Sequence, residues 1–558
     1  MIKKIFSKTI LLLLLSIILV IPTFSKLLRP GYFPMHDDMQ AMRLLQIDKC
    51  IKDKQFPCRW VPDMGYGYGY PQFNYYGPLP YYVMEVFHLL GLSFLDSVKA
   101  GFILPVIVSV VGMFFLGSSL WGPLAGLISA ILFAYAPYRA VDMYVRGAVG
   151  EFWALSTIPL IFWSSRKVVL GNSKSILWLA VSIAILLTSH NISSVMLAPI
   201  IFIWIVFLIL SNKKDVLPYL KKRISWLTVA AIWGVMLASF FVLPALIEKK
   251  FAHVETLKYG YFDFRAHFLS IKQLFFSTYW NYGSSEYGPY DEMFLGVGIV
   301  HWVLSLITLL VLSLLKRKKE IQIVLFFLAI GLIGLFMTHS RSSMLWLSFL
   351  SYFQFPWRFL LVPTFALSLA VGALASVIRK RGEKIFIGSV IFILCVLFYS
   401  SYFRPLSWET INDSDKFSGE SWEKQLTISI FDYLPIFATH PPTSKAPDQP
   451  QFLEGKGKVI GGNKGTNWQK WEINVDEDRA LVEFPIIYFP NWTVWVDGNK
   501  AEINYDNELG LIKFQLNSGI HDVTAKLIRT PVRILSEGAS VLGILLIPIF
   551  YLKSRIRR

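Results

Sequence analysis

Residues 192–211 read ISSVMLAPIIFIWIVFLILS, a segment of twenty positions without a charged side chain. An α-helix of this length spans about 30 Å, which is the thickness of the hydrocarbon core of a bilayer. The composition agrees, because 54% of the 558 residues are hydrophobic and 16% are charged, against about 25% charged residues in an ordinary soluble domain. The sequence therefore excludes a soluble protein and predicts an α-helical polytopic membrane protein.

Apolar segments of this kind recur along the chain, and we predict about 12 transmembrane helices. Their positions are 9–24, 98–117, 123–138, 151–165, 175–189, 192–211, 225–247, 293–315, 321–337, 358–378, 384–401 and 533–552. Segment 79–92 is also apolar, but it is short and interrupted by Glu85 and His88. A span at 79–92 would put most of the basic clusters of the later loops outside, so we expect a helix that lies on the outer membrane face. The first span lacks a following small-residue cleavage site and is expected to stay attached.

The basic residues predict the orientation of the chain. With 79–92 outside, every second loop faces the cytoplasm, and these loops and the two termini hold 23 basic and 3 acidic residues. Their clusters lie at 3–8, 166–174, 213–223, 316–319, 379–384 and 553–558. The net charge of +17 therefore follows the positive-inside rule, and it gives no reason to expect a nucleic-acid partner. Both termini are predicted in the cytoplasm.

The outward side then receives the segments 25–97, 139–150, 248–292, 338–357 and 402–532. Segment 402–532 is soluble in character, and strand-like alternation from Trp468 onward, with an Asp497-Gly498 turn, predicts an antiparallel β-sandwich-like domain. The predicted units are a transmembrane domain at 1–401 with the long outer loop 25–97, an extracytoplasmic β-rich domain at 402–532, and a last helix with a basic tail at 533–558. Cys50, Cys58 and Cys395 have no metal-site spacing, and a bridge between the first two stays open.

Polar and aromatic residues concentrate in the first outer loop. It contains MHDDMQAMR at 35–43, CRW at 58–60, GYGYGYP at 65–71 and NYYGPLPYY at 74–82. Two adjacent carboxylates followed by arginines and tyrosines look like a polar site covered by aromatic rings. The alternative is an aromatic belt with a solvated acidic pair that caps a helix, because Tyr and Trp collect at membrane interfaces.

These motifs resemble the GT-C superfamily of membrane glycosyltransferases, which carry an acidic pair in the first outer loop, a short cytoplasmic turn between spans two and three (117–123 here), and a charged outer loop after span three. The motifs of the first loop, together with APYR at 136–139, are more closely similar to the bacterial membrane family labelled "6-pyruvoyl-tetrahydropterin synthase-related". The segments YFPNW at 488–492 and VDG at 496–498 resemble the outer domain of YfhO-type proteins. The pterin label implies no chemistry here, because the nine histidines are scattered.

The resemblance implies that a sugar is moved from a polyprenyl-phosphate carrier to a glycan, lipid or protein acceptor of the cell envelope, on the outer face of the cytoplasmic membrane. By match to the first-loop motif, Asp37 would be the base for the acceptor, and Asp38 would be the second acidic residue. A carboxylate with a pKa of about 3.9 is a weak base, so burial under the tyrosines would help by raising the pKa.

The departing phosphate needs hydrogen-bond donors, and a guanidinium offers two parallel ones. Arg358, at the outer mouth of span ten, is the first candidate, and its alternative role is that of a snorkelling anchor beside Trp357. The pair His190-Asn191 is expected either to orient a sugar hydroxyl or to form a polar turn. The other candidate substrate-binding residues are Arg43, Arg59, Arg146, Tyr75 and Tyr76.

Metal dependence stays open at this stage. Oligosaccharyltransferases hold a divalent cation, Mg or Mn, between acids of several outer loops, whereas mannosyltransferases work without a metal. The matching acids of this chain are Asp37, Asp142, Glu151 and Glu286.

Two other classes of function remain. A transporter or flippase of lipid-linked saccharides would keep charges near the membrane midplane, and a non-catalytic envelope scaffold would use the outer domain only to bind sugar. The polarity of this chain lies on one side, which favours the enzyme. The position of Asp37 relative to Arg358 separates these alternatives.

The predicted topology can be tested by cysteine accessibility. A cysteine in place of Asn499 should react with a membrane-impermeant maleimide in intact cells, because residue 499 belongs to the outer domain. A cysteine in place of Lys318 should react only after the membrane is opened. The opposite labelling pattern at either position would contradict the topology.

Overall fold

The computed structural model describes residues 2–211, 217–286, 291–347, 349–428 and 430–556. Lys213, Lys214, Arg557 and Arg558, four of the basic residues predicted in the cytoplasm, lie outside this part of the chain.

α-Helices form most of the described chain before residue 428 and return after the sheet. They are α1 (Ile2–Val20), α2 (Gln40–Lys52), α3 (Gln72–Tyr75), α4 (Leu79–Leu89), α5 (Phe94–Trp121), α6 (Pro123–Tyr135), α7 (Pro137–Ala140), α8 (Val149–Val169), α9 (Ser175–Ser189), α10 (Asn191–Ser211), α11 (Leu217–Ile247), α12 (Ile271–Phe275), α13 (Ile299–Leu314), α14 (Lys318–Thr338), α15 (Leu361–Gly372), α16 (Arg381–Tyr399), α17 (Asp413–Lys416), α18 (Gly419–Thr427) and α19 (Pro531–Ile556). A π-helical turn lies at Val141–Arg146. Short 3₁₀ turns lie at Ile21–Thr23, Ser25–Leu28, Glu248–Phe251, Glu255–Lys258, Gly260–Phe262, Phe264–His267, Ser340–Trp346, Phe349–Phe353, Pro356–Leu360, Ala373–Ser376 and Ser400–Tyr402.

Each of the twelve predicted spans falls on one of these helices, and the helical polytopic fold class is confirmed. Within the described residues, seven helices are long and apolar enough to cross a membrane, and the bent pair Pro123–Tyr135 with Pro137–Arg146 makes an eighth candidate. The predicted spans at α1, α9 and α13 are shorter apolar helices. Helix α8 is not among the candidate membrane-spanning helices. It carries Glu151 in its first turn and Arg166 and Lys167 in its last turn.

The helices differ in how much of their surface the protein covers. Every residue of α15 is buried, so this helix runs through the centre of the bundle. In contrast, α10, α16 and α19 expose large apolar side chains such as Phe202, Phe386 and Leu545. Exposed apolar surface on this scale suits contact with lipid and not with water. The outer helices of the bundle are therefore its lipid-facing surface.

The five segments predicted on the outer side pack against one another at one end of the bundle, which we call the loop side. The contacts between them are the backbone bridges Tyr32 to Glu409, Ala252 to Pro435 and Leu269 to His339, and the hydrogen bonds from the Asp37 amide to the Arg146 carbonyl and between His36 and the Tyr282 carbonyl. Because successive spans cross the membrane in opposite directions, the sequence predicts that these five segments lie on the same face. Segment 79–92 forms α4 there and packs on α2 and α5, as expected for a helix outside the spans.

Cys50 in α2 and Cys58 in the following loop form a disulfide. The sequence left this bridge open, and the structure settles it. Cys395 is a free, buried cysteine of α16. Disulfides persist in oxidising compartments, so the bridge agrees with an outward position of the loop side.

The carboxy-terminal strands form one antiparallel sheet. They are β1 (Gln451–Glu454), β2 (Gly457–Lys464), β3 (Trp468–Ile487), β4 (Trp492–Val496), β5 (Asn499–Lys500) and β6 (Leu511–Leu527). The order is β1, β3, β6, β4, β5, and β2 pairs with the other half of the same edge of β3. The antiparallel domain is confirmed, but its strands join in a single hydrogen-bonded sheet and not in two.

The Asp497-Gly498 turn predicted from sequence connects β4 and β5. Val496 pairs with Asn499, and both turn residues have positive φ, 50° at Asp497 and 82° at Gly498. Such a turn matches the twist of the two strands, and Gly accepts this backbone without strain.

The sheet is joined to the loops of the transmembrane part through a shared apolar core. Trp60 and Tyr75 of the first outer loop lie in the same buried cluster as Phe489 and Trp492 of the sheet domain. Trp60 meets Trp492 edge to face at 5.6 Å between ring centres. The sheet is therefore held in place against the first outer loop.

A buried ion pair fastens the last helix to this assembly. The guanidinium of Arg533 in α19 donates to Glu248 Oε2 at 2.9 and 3.1 Å, and both side chains are 2–3% exposed. The same carboxylate accepts from Asn74 at 2.9 Å and from Thr530 at 2.7 Å. These four groups connect the first loop, the end of α11 and the start of α19.

Replacement of Arg533 by Met should destabilise the fold by about 3–5 kcal/mol, because a buried carboxylate then loses its charged partner. The thermal unfolding midpoint of the full chain in detergent micelles measures the loss. Arg529→Met is the matched control, since Arg529 is 60% exposed and pairs only at the surface, where an ion pair contributes about 0–1 kcal/mol. Equal midpoints for the two variants would contradict the structural role of Arg533.

Candidate active site

Asp37 lies on the loop side just before α2. Its Oδ2 accepts hydrogen bonds from Arg43 at 2.7 Å, from Gln40 at 3.1 Å and from Tyr76 at 3.4 Å. Its Oδ1 has no hydrogen-bond partner within the described residues, and the side chain is 30% exposed. One carboxylate oxygen is therefore anchored, while the other is open to a ligand.

Arg43 is the main anchor of Asp37, and it is itself fixed from several sides. The side chain is 2% exposed, it lies over the ring of Tyr76 at 4.3 Å, and it donates to the hydroxyl of Tyr81 at 3.4 Å. Tyr81 in turn donates to Gln40 at 2.5 Å. The tyrosines that the sequence places above the acidic pair therefore hold the partners of Asp37.

Asp38 points to a different partner. Its Oδ2 accepts from Lys416 of α17 at 2.7 Å, and Lys416 is 6% exposed. Burial raises the pKa of Asp38 above its usual range, and the charge of Lys416 opposes the shift. Asp38 therefore ties the first loop to the 402–532 segment, whereas Asp37 keeps an open oxygen.

A second set of charges lies directly behind Asp37. Arg146 ion-pairs with Asp142, and its other nitrogen lies 2.9 Å from Glu151 Oε2. Tyr138 donates to the other oxygen of Glu151. The positive φ of Gly147, 65°, ends the π-helical turn that carries Arg146 and lets the chain enter α8 with Glu151 in its first turn.

Arg358 joins this set from the other end of the sequence. Its Nε lies 3.3 Å from Glu151 Oε2, and its Nη1 donates to the Phe353 carbonyl at 2.9 Å and to Gln354 at 2.8 Å. The side chain is 10% exposed, so Arg358 is not a snorkelling anchor. More than 200 residues of sequence separate it from Arg146, and the loop-side contacts bring both to one carboxylate.

Arg139 adds a third guanidinium that sequence reasoning did not include among the site residues. It is 1% exposed, it lies over the rings of Phe133 and Phe152 at 4.7 and 4.5 Å, and it is close enough to Asp142 for their charges to interact. Arg139 donates to Ser156 at 3.3 Å and makes no ion pair within the described residues, so the set holds three guanidiniums and two carboxylates.

A cavity of about 220 Å³ opens between the start of α10 and the end of α11, and within the described residues its lining does not include Asp37, Arg146, Glu151 or Arg358. Four residues that the sequence selects as substrate contacts line it, namely Tyr75, Tyr76, His190 and Asn191. Lys249, Tyr352 and Tyr433, which sequence reasoning missed, line it as well. We call this space the donor cavity.

Tyr76 and His190 connect the donor cavity to the charges around it. Tyr76 lines the cavity and also contacts Asp37. His190 lies close enough to Glu151 and Arg358 for their charges to interact, and burial lowers its pKa to about 3, so the imidazole is neutral at physiological pH. Its Nδ1 hydrogen-bonds Ser193 at 2.8 Å, while Asn191 donates to the Tyr75 carbonyl at 2.9 Å.

Arg59, another candidate substrate-binding residue, lies apart from the donor cavity and from Glu151. Its guanidinium donates to Glu537 at 3.0 Å, to the Phe240 carbonyl at 2.8 Å and to Asn74 at 3.3 Å. Arg59 therefore belongs with the ion pair of Arg533 and Glu248 that holds α19.

The four candidate metal ligands do not converge either. Within the described residues, no group of three or more His, Cys, Asp or Glu side chains is arranged to hold a metal ion. Asp142 and Glu151 both meet the guanidinium of Arg146, Asp37 meets Arg43, and Glu286 accepts from Ser284 at 2.6 Å near the surface. Arginine occupies the place between the carboxylates that a divalent cation would need.

The comparisons with known proteins are distant. No family model matches the sequence. An uncharacterized protein of Lactococcus lactis subsp. cremoris (strain MG1363) is 25% identical over 251 residues, which are 43% of this chain. This chain covers 39% of the length of that relative.

Two solved membrane proteins are similar in structure over most of this chain. The arabinofuranosyltransferase AftD from Mycobacteria matches 73% of it with a TM-score of 0.43 and 13% identity, and this chain covers 29% of AftD. The oligosaccharyltransferase of Archaeoglobus fulgidus matches 78% of it with a TM-score of 0.39 and 12% identity, and this chain covers 60% of that protein. Similarity at this level assigns no activity to the chain.

The ion pair between Arg146 and Asp142 can be tested by its contribution to stability. Arg146→Met should lower the thermal midpoint in detergent micelles, because Asp142 then stays buried without its ion-pair partner, at a cost of about 3–5 kcal/mol. The double variant Arg146→Met with Asp142→Asn removes the orphaned charge and should regain part of the loss. A double variant no more stable than the single one would contradict this pairing.

Proposed function

We propose that this protein is a membrane glycosyltransferase that moves a sugar from a polyprenyl-phosphate carrier to an acceptor of the cell envelope on the outer face of the cytoplasmic membrane. The observation that carries the proposal is the arrangement of Asp37. One of its oxygens is held by Arg43, Gln40 and Tyr76, and the other has no partner in the described chain. A general base needs both a fixed position and an open oxygen.

In the proposed reaction, Asp37 Oδ1 takes the proton of the acceptor hydroxyl as the acceptor oxygen bonds to the anomeric carbon of the donor sugar. The bond between that carbon and the phosphate oxygen breaks, and the electron pair leaves with the polyprenyl phosphate. Because this leaving group is an anion of low basicity, the step needs no general acid. It needs positive charge and hydrogen-bond donors near the phosphate.

The groups around the donor cavity supply this environment. Arg358 and Arg146 lie behind His190, and the set to which they belong holds three guanidiniums and two carboxylates. Lys249 lines the cavity with an exposed side chain, so a phosphate there would meet a second cation. Fixed charges act strongly in such a site, because buried dipoles and cations need no reorganisation during the reaction.

The position of the donor cavity suits a lipid-linked substrate. Its lining includes Ile192 at the start of α10 and Ala245 near the end of α11, and α10 exposes large apolar side chains such as Phe202. An isoprenoid chain in the bilayer could therefore lie along this helix while its phosphate enters the cavity. The aromatic rings of Tyr75, Tyr76 and Tyr433 would cover the sugar.

The outward orientation is part of the proposal. The positive-inside distribution of basic residues favours an outward loop side, and the disulfide between Cys50 and Cys58 on that side supports the same orientation. A transporter would keep its charged groups near the membrane midplane. In the described chain, the ion pairs of Asp37, Glu151 and Glu248 all lie at the loop side, which favours transfer chemistry.

The role of Asp37 can be tested without loss of the fold. Asp37→Asn alone leaves the buried Arg43 without its charged partner, so we pair it with Arg43→Gln, which restores a neutral hydrogen-bonded contact. The double variant should fold with a near-native thermal midpoint, while transfer falls by at least about 100-fold because the base is lost. Mass spectrometry of the envelope glycans in a deletion strain, complemented with each variant, measures transfer.

The matched control is the double variant Asp38→Asn with Lys416→Gln, because Asp38 ion-pairs with the buried Lys416. It should retain most of the transfer. If the Asp37 and Arg43 double variant kept wild-type glycans while the Asp38 and Lys416 double variant folded but lost them, the roles within the pair would be reversed. If all variants kept wild-type glycans, the proposed transfer reaction would be wrong.

A further inference from the structure

A second and larger cleft lies on the loop side, away from the donor cavity. Its volume is about 630 Å³, and several parts of the chain form its walls. The first outer loop contributes Gly67, Tyr68 and Gly69, α18 contributes Trp422, and the start of β3 contributes Trp468. The glycine and tyrosine repeat that the sequence places in the first loop thus lines this cleft and takes no part in the donor cavity.

Tryptophan is the dominant residue type of the cleft. Trp60 and Trp492 form its buried base, whereas Trp422 and Trp468 are partly exposed. The two partly exposed indoles, Trp422 and Trp468, are therefore the ring faces that a ligand in this cleft could contact.

Charged side chains of both signs surround these rings. Lys49 pairs with Asp63 at 2.5 Å, and Lys464 lies 3.8 Å from Asp448. Lys445 adds a further ammonium group that is 56% exposed. The cleft therefore offers flat apolar faces together with both donors and acceptors of hydrogen bonds.

Hydrogen bonds and close packing hold the walls of the cleft in place. Asp53 accepts from the Trp468 indole at 2.9 Å and from the amide and hydroxyl of Thr466 at 2.6 and 2.7 Å. Gly69 has a φ of +90°, and a Cβ there would lie 2.3 Å from the Trp60 ring. Only glycine lets the loop approach this ring so closely.

Helix α2 connects the cleft to the proposed base. Its first residues include Gln40 and Arg43, which hold Asp37. Its last residues include Lys49 and Lys52, which line the cleft. With a rise of 1.5 Å per residue, the two ends of the helix are roughly 18 Å apart, so one extended ligand could reach from the cleft toward Asp37.

We propose that this cleft binds the saccharide chain of the acceptor, and the proposal rests on the transferase function proposed above. A sugar ring has apolar C–H faces, which suit an indole surface, and a rim of hydroxyls that both donate and accept. A pocket of aromatic surfaces with a few fixed polar groups of both kinds matches these requirements. A polyprenyl chain would find no continuous apolar surface among the lysines and aspartates.

The test is direct binding of polysaccharide released by mild acid from the envelope of the producing cells, titrated calorimetrically into the full chain in detergent micelles. We expect the wild type to bind and Trp422→Ala to bind at least about tenfold more weakly, since an aromatic stacking surface is lost. Trp422→Phe keeps a ring and should recover most of the affinity. Lys445→Ala, at an exposed position, should weaken binding without any risk to the fold.

Trp495→Ala is the matched control, because Trp495 belongs to the same sheet but lines a different depression. It should bind like the wild type. If the wild type does not bind this polysaccharide, or if both Trp422→Ala and Lys445→Ala bind it unchanged, the cleft is not the acceptor site. The Asp37 and Arg43 double variant should bind the polysaccharide like the wild type. If the wild type and all variants bind the polysaccharide but none of them transfers a sugar, the transferase function is wrong, while the cleft remains a saccharide-binding site.

Discussion

The pairing of buried charges is the constraint on which the loop side of this protein depends. A guanidinium or carboxylate can be buried only where an opposite charge or several hydrogen bonds meet it. Arg43 with Asp37, Arg146 with Asp142 and Glu151, and Arg533 with Glu248 satisfy this condition. Arg533 with Glu248 joins segments that are distant in sequence, whereas the pairs of Arg43 and Arg146 fix the local conformation of single loops at the ends of the helices.

This constraint also separates the two adjacent aspartates. Asp37 is held by groups of its own loop and keeps one oxygen open, whereas Asp38 meets Lys416 across the boundary to the 402–532 segment. These two adjacent residues therefore provide a candidate base and a link to the sheet domain. The end of α2 lines the cleft that contains Trp422 and Trp468, and the start of α2 holds Asp37, which contacts Tyr76 of the donor cavity. Such an arrangement suits a reaction in which a lipid-bound donor and an acceptor of the cell envelope approach one carboxylate from different directions.

Much of the fold could be predicted from the sequence, because a bilayer imposes long apolar helices and a biased distribution of basic residues. Both signals are local, and the helices and the shared loop side follow from them. The Asp497-Gly498 turn is local as well. Asp37, Tyr76 and His190 could be selected individually as unusual polar residues, but nothing local indicated that Tyr76 connects the acidic pair to the cavity. That contact depends on how the loops fold over one another.

Other features depended on long-range pairing and were not predictable. Arg59 looked like a phosphate ligand because it follows the acidic pair, but Glu537, 478 residues away, holds it beneath the sheet. Asp142 and Glu151 were candidate metal ligands because they flank the outer loop after span three, but both carboxylates meet the guanidinium of Arg146. Arg139 and Lys249 were overlooked, because a single arginine or lysine near a membrane surface is common and only the folded chain shows what surrounds it.

The most direct measurement is a cryo-electron microscopy structure of the full chain with a polyprenyl phosphonate sugar, an analogue that cannot be cleaved. We expect the phosphonate in the donor cavity near Lys249 and His190, the isoprenoid along α10, and the sugar within hydrogen-bonding distance of a group that also contacts Asp37. An analogue bound at a distance from Asp37, or enclosed at the midplane of the bundle, would contradict the assignment of this site.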